Sequence, residues 1–302
     1  MPSLTIPENY MRAFSTNWEH TVQQAMAKLG RIVTIDAFVG KEKIYTDLNQ
    51  VSFKNRTERL AKSNPTEVTG NKRKSTKKQM ICQIIFDRSD DSFLGMLGEP
   101  TSEVQVEMKM AFERELDAEL VSAAGRTVYG GADPYVTAID QTDAQRVAAT
   151  YNYDGTTTSR GMTPDKLVRA QTIIGNNNMS ITQEEWYLAM RPKQREDLFQ
   201  YVKSAPNAPY AQMIGEWLND PTKKLFGFTT IESTQLAVSA GDIATCLIWS
   251  KMGIYASPDK MEVKIDVLPE LQHAKQISAY GEMGFMRRRE ERVIEVYCDQ
   301  SP

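Results

Sequence analysis

Apolar side chains recur at every fourth position from Val104 through Met108, Phe112 and Leu116 to Leu120, with Ala111 and Ala123 widening the stripe. Glu103, Glu107, Glu113, Arg114 and Asp117 fall on the other side, so the pattern predicts an amphipathic helix over residues 102–124 with one buried face. Both ends carry stop signals. Pro100 and Thr101 interrupt what precedes, Ser102 stands at the N-cap with Gln105 in capping-box position, and Gly125 offers the left-handed residue that closes a helix. At 1.5 Å per residue the helix would be roughly 34 Å long, well above the globular mean of about 11 to 12 residues. A helix of that length suits a beam crossing a thin subunit; a long member of an ordinary bundle is the alternative.

Around it the period changes. Residues 8 to 29 place Tyr10, Phe14, Trp18, Val22, Met26 and Leu29 at helical spacing before Gly30, which predicts an arm packing on the body or on another subunit. From Ile32 the runs are strand-like: Ile32 to Phe38, Lys43 to Phe53 and, further on, Met80 to Phe86, whose flanking positions suggest the two sides of a long hairpin. Beyond the long helix, Thr163 and Pro164 open a second helix striped by Leu167, Ala170, Ile173 and Ile174, with Gly175 and three asparagines ending it. A short strand, Trp186 to Met190, then meets Arg191-Pro192 and a helix over Lys193 to Lys203. Lys224 to Ile231, Ala244 to Trp249, Gly253 to Ala256, Val263 to Val267 and Arg292 to Cys298 read as further strands.

Charge changes the picture in one place. The stretch from Lys54 to Lys78 holds Lys54, Arg56, Arg59, Lys62, Lys72, Arg73, Lys74, Lys77 and Lys78 against Glu58 and Glu67, a net +7 within a chain of formal charge -3. A projecting basic loop on an otherwise acidic body can attract a second copy of that body, and all nine basic residues are candidate intersubunit contacts. Nucleic-acid binding through the same loop is a rival, though only Phe53 flanks it and no interleaved aromatics offer a stacking platform. A solvated loop is the third reading, although some 25 residues is long for an idle connection.

Composition removes other classes. The chain has 302 residues, of which 41% are hydrophobic, enough for one large domain or two smaller ones. It has no apolar run of about 18 residues for a membrane helix and no basic-then-apolar leader, so a cytoplasmic protein is expected. Cys82, Cys246 and Cys298 are odd in number and set among apolar neighbours, which suits reduced, buried thiols. With His20 and His273 the only histidines, and with no Walker loop, dinucleotide fingerprint or nucleophile elbow, no catalytic residue, cofactor or metal ligand is assigned.

Trp186 to Leu198, Leu225 to Ser233 and Gly281 to Val296, in that order after an N-terminal arm, a basic hairpin and a long helix, resemble the major capsid proteins of tailed bacteriophages. The resemblance spans nearly the whole chain and implies an α+β fold: an N-terminal arm (1–31) making contact through Tyr10, Phe14 and Trp18, an extended β-hairpin loop (32–90) with its basic tip at 54–78, a peripheral domain (91–139 and 263–302) holding the spine helix, and an axial domain (140–262). It implies no enzyme but a structural protein, self-assembling into pentamers and hexamers of an icosahedral shell around double-stranded DNA. The partners implied are further copies of itself, a portal, DNA bound non-specifically and a scaffold. Some relatives carry a fused scaffolding segment of about a hundred residues that has no counterpart before this arm, which implies a separate scaffolding protein or prior processing. Some also cross-link a loop Lys to a distant Asn, and nothing here singles out such a pair. Encapsulin compartment shells share the fold and stand as the alternative. The implied location is the virion capsid, after assembly in the bacterial cytoplasm.

Overall fold

The computed structural model describes residues 23–53, 55, 68–86, 103–155, 158–204 and 210–301. In chain order the strands and helices are β1 (Thr34–Ile35), β2 (Glu42–Leu48), β3 (Gly70–Thr76), β4 (Lys78–Phe86), α1 (Glu103–Gly125), β5 (Val128–Gly130), β6 (Thr137–Ile139), β7 (Arg146–Val147) and α2 (Pro164–Asn176). They continue with β8 (Trp186–Met190), α3 (Pro192–Ser204), α4 (Ala211–Asn219), β9 (Phe228–Glu232), β10 (Ile243–Ser250), β11 (Ile254–Pro258), β12 (Glu262–Leu268), β13 (Ala274–Arg287) and β14 (Val293–Asp299). The chain divides into two units: residues 1–27, 78–117 and 258–283 form one, and residues 28–77, 118–257 and 284–302 the other. Helix α1 and strand β13 are each a single element with residues in both.

In the first unit β13 pairs antiparallel with β12 on one side and β4 on the other. Register puts Val263, Ala279 and Cys82 on one rung and Ile265, Ile277 and Ile84 on the next but one. Side chains alternate across a sheet, so Ile277 and Ala279 bury against Met108 of α1, with Val104, Ile84 and Val263 packed around them. Close approach is enforced at Gly281, where an added Cβ would lie 2.3 Å from the Phe112 ring. Met108 and Leu116 are buried and Val104 and Phe112 half-buried; in the second unit Leu120 is fully buried.

The supposed polar face of α1 is not uniformly solvated. Glu113 and Asp117 are buried as well, because the segment 23–27 lies along them. The Ala27 N–H donates to Glu113 at 2.9 Å, Gln24 donates to Asp117 at 2.5 Å, and Gln23 is hydrogen-bonded to Glu107 and Arg114. A stripe drawn from hydrophobicity alone cannot see such a cover, since the covering residues are some 86 to 93 positions away.

The second unit is built on a five-stranded sheet of order β7-β14-β10-β8-β9. β10 is antiparallel to both its neighbours, and β8–β9 and β14–β7 are parallel. Its core gathers Trp186, Leu188, Phe228, Ile248 and Val296 with Leu167 and Ile173 of α2, Leu198 of α3 and Ile214 and Trp217 of α4. Trp217 also donates its indole N–H to Thr230. Lys166, fully buried on α2, points its ammonium at three carbonyls, those of Arg160 (2.6 Å), Gly161 (2.9 Å) and Tyr297 (2.9 Å). Burial pushes its pKa down, and the three acceptors stand in for the lost water. Thr163 stands at the cap of α2 with extended backbone, but its hydroxyl makes no capping bond. Cys246 and Cys298 are buried on β10 and β14, whereas Cys82 on β4 is exposed, against the expectation of three buried thiols.

A second sheet in this unit, β2-β3-β5-β6, corrects the expected hairpin. β2 pairs with β3, from Glu42↔Thr76 to Leu48↔Gly70, while the Met80 to Phe86 run belongs to β4 and pairs with β13. Strand β3 was hidden because its inward positions are polar: Arg73 and Ser75 are buried, and no apolar alternation marks Gly70–Thr76.

Candidate intersubunit interface

The candidate surface is the β2–β3 hairpin, and its base is bolted to its own chain by arginines. Arg73 is 8% exposed and its fork donates to both carboxylate oxygens of Glu290, each at 2.6 Å. Burial would raise the Glu290 pKa, but the guanidinium overrides it and holds the carboxyl below its usual range. Arg288 donates to Asp47 at 2.5 Å, with its guanidinium 5.1 Å from the Tyr45 ring centroid and 5.6 Å from that of Tyr255. The two rings meet edge to face at 5.4 Å, and Arg289 adds a longer contact of 3.4 Å to Asp47. Burial, then hydrogen bonding to Asp36, push the Tyr45 phenol well up.

Arg287, fully buried, donates to the carbonyls of Ala124 (2.7 Å), Arg126 (3.0 Å) and Ile139 (3.1 Å). The last turn of α1 leaves carbonyls without intrahelical partners and carries the negative end of the helix dipole, so a cation there serves both needs. Gly125 is held close as well: a Cβ would meet a carboxylate oxygen of Glu295 at 2.8 Å. Glu295 in turn accepts from Arg146 at 2.9 Å and from the Tyr297 hydroxyl at 2.7 Å, and burial followed by that hydrogen bond pushes the Tyr297 pKa up to about 12.

The nine basic residues of the loop therefore divide. Arg73 and Lys77 are buried in their own chain, Lys77 with its ammonium 4.9 Å from the Phe38 ring centroid, so neither presents a charge to a neighbouring copy. Lys74 lies 3.4 Å from Glu42, Lys72 is 5.8 Å from the Tyr135 ring centroid, and Lys78 opens β4 with an exposed side chain. Lys54, Arg56, Arg59 and Lys62 lie outside the described residues, as do Tyr10, Phe14 and Trp18 of the expected arm. The run Arg287-Arg288-Arg289-Glu290 carries most of the anchoring, and three consecutive arginines next to a predicted strand are the one sequence signal of that role.

The far end of the hairpin differs in kind. Leu48, Val51, Phe53 and Val68 all stand exposed, Phe53 completely.

The family model described as "Phage capsid protein" matches residues 6–300. No match was found among curated proteins. Among solved structures, the capsid of cyanophage P-SCSP1u is similar with a TM-score of 0.63 at 15% identity, covering 96% of this chain and 93% of that one. Mycobacterium phage Che8 gives 0.65 at 10% identity, covering 98% of each chain. The SrpI encapsulin complex of Synechococcus elongatus gives 0.60 at 10% identity, covering 100% of this chain and 98% of that one.

Proposed function

Because this chain belongs to the phage capsid protein family, we propose that it acts as the major structural subunit of a virion, self-assembling into pentamers and hexamers of an icosahedral shell around double-stranded DNA. The observation that carries the reading is the extent of the match: the family covers residues 6–300, and solved capsids align along nearly the entire chain. A likeness confined to one unit would have supported a shared fold module and no more.

In this reading residues 1–31 are the arm, the β2–β3 hairpin with the residues between its strands is the extended loop, 91–139 with 263–302 and strand β4 form the peripheral domain, and 140–262 the axial domain. The subunit is not an enzyme, and its contribution is geometric: many modest contacts, repeated by symmetry, close into a stable container. A portal and a scaffolding protein are further partners, and assembly takes place in the host cytoplasm. An encapsulin-type compartment is the second reading, favoured by the full-length likeness to the SrpI shell.

Light scattering and negative-stain imaging of the purified chain, alone and with scaffold supplied, test the proposal. Closed particles or capsomers are expected, and a stable monomer under every condition would overturn it. Particles isolated from infected cells should contain nuclease-protected double-stranded DNA if the shell is viral, and a protein cargo without DNA if it is a compartment.

A further inference from the structure

The core of the second unit holds a cluster of sulfur atoms for which the shell reading has no use. Cys246 of β10 and Cys298 of β14 are fully buried, and Met162, in the segment leading into α2, is buried with them. Register pairs Ala244 with Cys298 and Cys246 with Val296, so the two cysteines share one face of the sheet as diagonal neighbours. The Cys298 thiol donates to the Met162 Sδ at 4.0 Å. Hydrogen bonding to Cys298, then burial, hold the Cys246 thiol well above its usual pKa, so its sulfur lies beside the other two.

Lys166 sets both the geometry and the charge of this cluster. Two of the carbonyls it binds are those of Gly161 (2.9 Å) and Tyr297 (2.9 Å), the residues immediately before Met162 and Cys298. One side chain therefore ties the two segments together and holds the thioether against the thiol. With the Arg160 carbonyl it has three acceptors, which call for the three N–H donors of the charged ammonium. Burial works against that charge, and thiolates at Cys298 and Cys246 would support it.

Among the described residues no three His, Cys, Asp or Glu side chains gather as ligands for a hard or borderline ion. Thiolate and thioether sulfur are instead the donors that select soft ions such as copper(I). The spacing agrees, because metal–sulfur bonds of about 2.3 Å in a trigonal plane set the sulfurs about 4.0 Å apart, the separation between Cys298 and Met162. We propose that Cys246, Cys298 and Met162 form a binding site for one soft monovalent metal ion of the copper(I) class. Binding displaces one proton from each thiol and transfers no electron. Two thiolates, the ion and the Lys166 ammonium then sum to zero, so the core takes up no net charge. The occupied site fastens β10, β14 and the lead-in to α2 at one point within each subunit, whether or not copies assemble. Because its ligands are buried, the ion enters as the chain folds.

The test uses the full chain carrying Cys82→Ser, which removes the exposed thiol, refolded from denaturant without oxygen in the presence of copper(I) and a competing copper(I) chelator. A second arm, the same chain isolated from cells grown with added copper, does not depend on refolding. One copper ion per folded chain should survive gel filtration, and X-ray absorption should show a first shell of three sulfurs at about 2.3 Å. Cys246→Ala and Cys298→Ala should each weaken retention against the chelator about tenfold or more, since even changes outside the ligand shell cost that much. Met162→Leu, which conserves volume and leaves the copper-free chain folded, should leave a shell of two sulfurs. The absorption spectrum of the Cys82→Ser chain reads the ligand set without relying on any of these variants to fold. A folded chain that retains no copper in either arm overturns the proposal. So does a first shell containing nitrogen or oxygen, or retention unchanged by Cys298→Ala and Met162→Leu. These outcomes leave the shell reading untouched, since it is tested by assembly.

Discussion

Arg73 shows how far a side chain's role can depart from its composition. Counted along the chain it belongs to a basic loop; in the fold it is a buried fork on Glu290, 217 positions away, with Arg287 3.7 Å from the same carboxylate. Removing one partner of such a pair leaves an uncompensated buried charge. Glu290→Gln is therefore expected to cost about 3–5 kcal/mol in denaturant unfolding. The pH dependence follows from the same pair. The folded-state pKa of Glu290 lies below its ordinary value of 4.5, so its contribution is complete above that value and fades as pH falls through the folded pKa. Wild-type stability should thus fall more steeply than that of Glu290→Gln on acidification below about pH 4.5, measured by unfolding midpoints at matched ionic strength. Nothing in the sequence pointed to this partnership, because pairing across such a separation leaves no local pattern.

At the scale of elements, legibility followed periodicity. The Val104–Leu120 stripe, the Leu167–Ile174 stripe and the Trp186–Met190 run were readable because their buried positions are apolar, and the structure forms α1, α2 and β8 there. Strand β3 was unreadable because Arg73 and Ser75 occupy its inward positions, and the acidic side of α1 was misread because residues 23–27 cover it. Two substitutions separate core from surface along α1. Leu120→Ala should cost about 2–5 kcal/mol, since the side chain is fully buried, whereas Val106→Ala, at a 43% exposed position, should stay within about 0.5 kcal/mol. Gly281→Ala tests how tightly helix and sheet meet: a methyl 2.3 Å from the Phe112 ring must displace it, with an expected loss of about 1–3 kcal/mol by thermal or urea unfolding.

On the scale of the whole molecule, the order of parts was legible where no single part was decisive. Arm, hairpin, long helix and α/β middle named the family from sequence, and solved capsids align over nearly the full length at only 10 to 15% identity. Order survives when side chains do not, because a shell constrains where elements lie more than which residues fill them. The basic count along Lys54–Lys78 was the least legible signal, since it includes Arg73 and Lys77, which the fold buries.

The placement of the three thiols supplies a built-in gauge. Only Cys82 meets solvent while Cys246 and Cys298 lie inside the β10–β14 pair, so a colorimetric thiol reagent should find one reactive group per native polypeptide and three once that sheet opens. The jump from one to three reports the opening of the second unit in the free subunit without any engineered label.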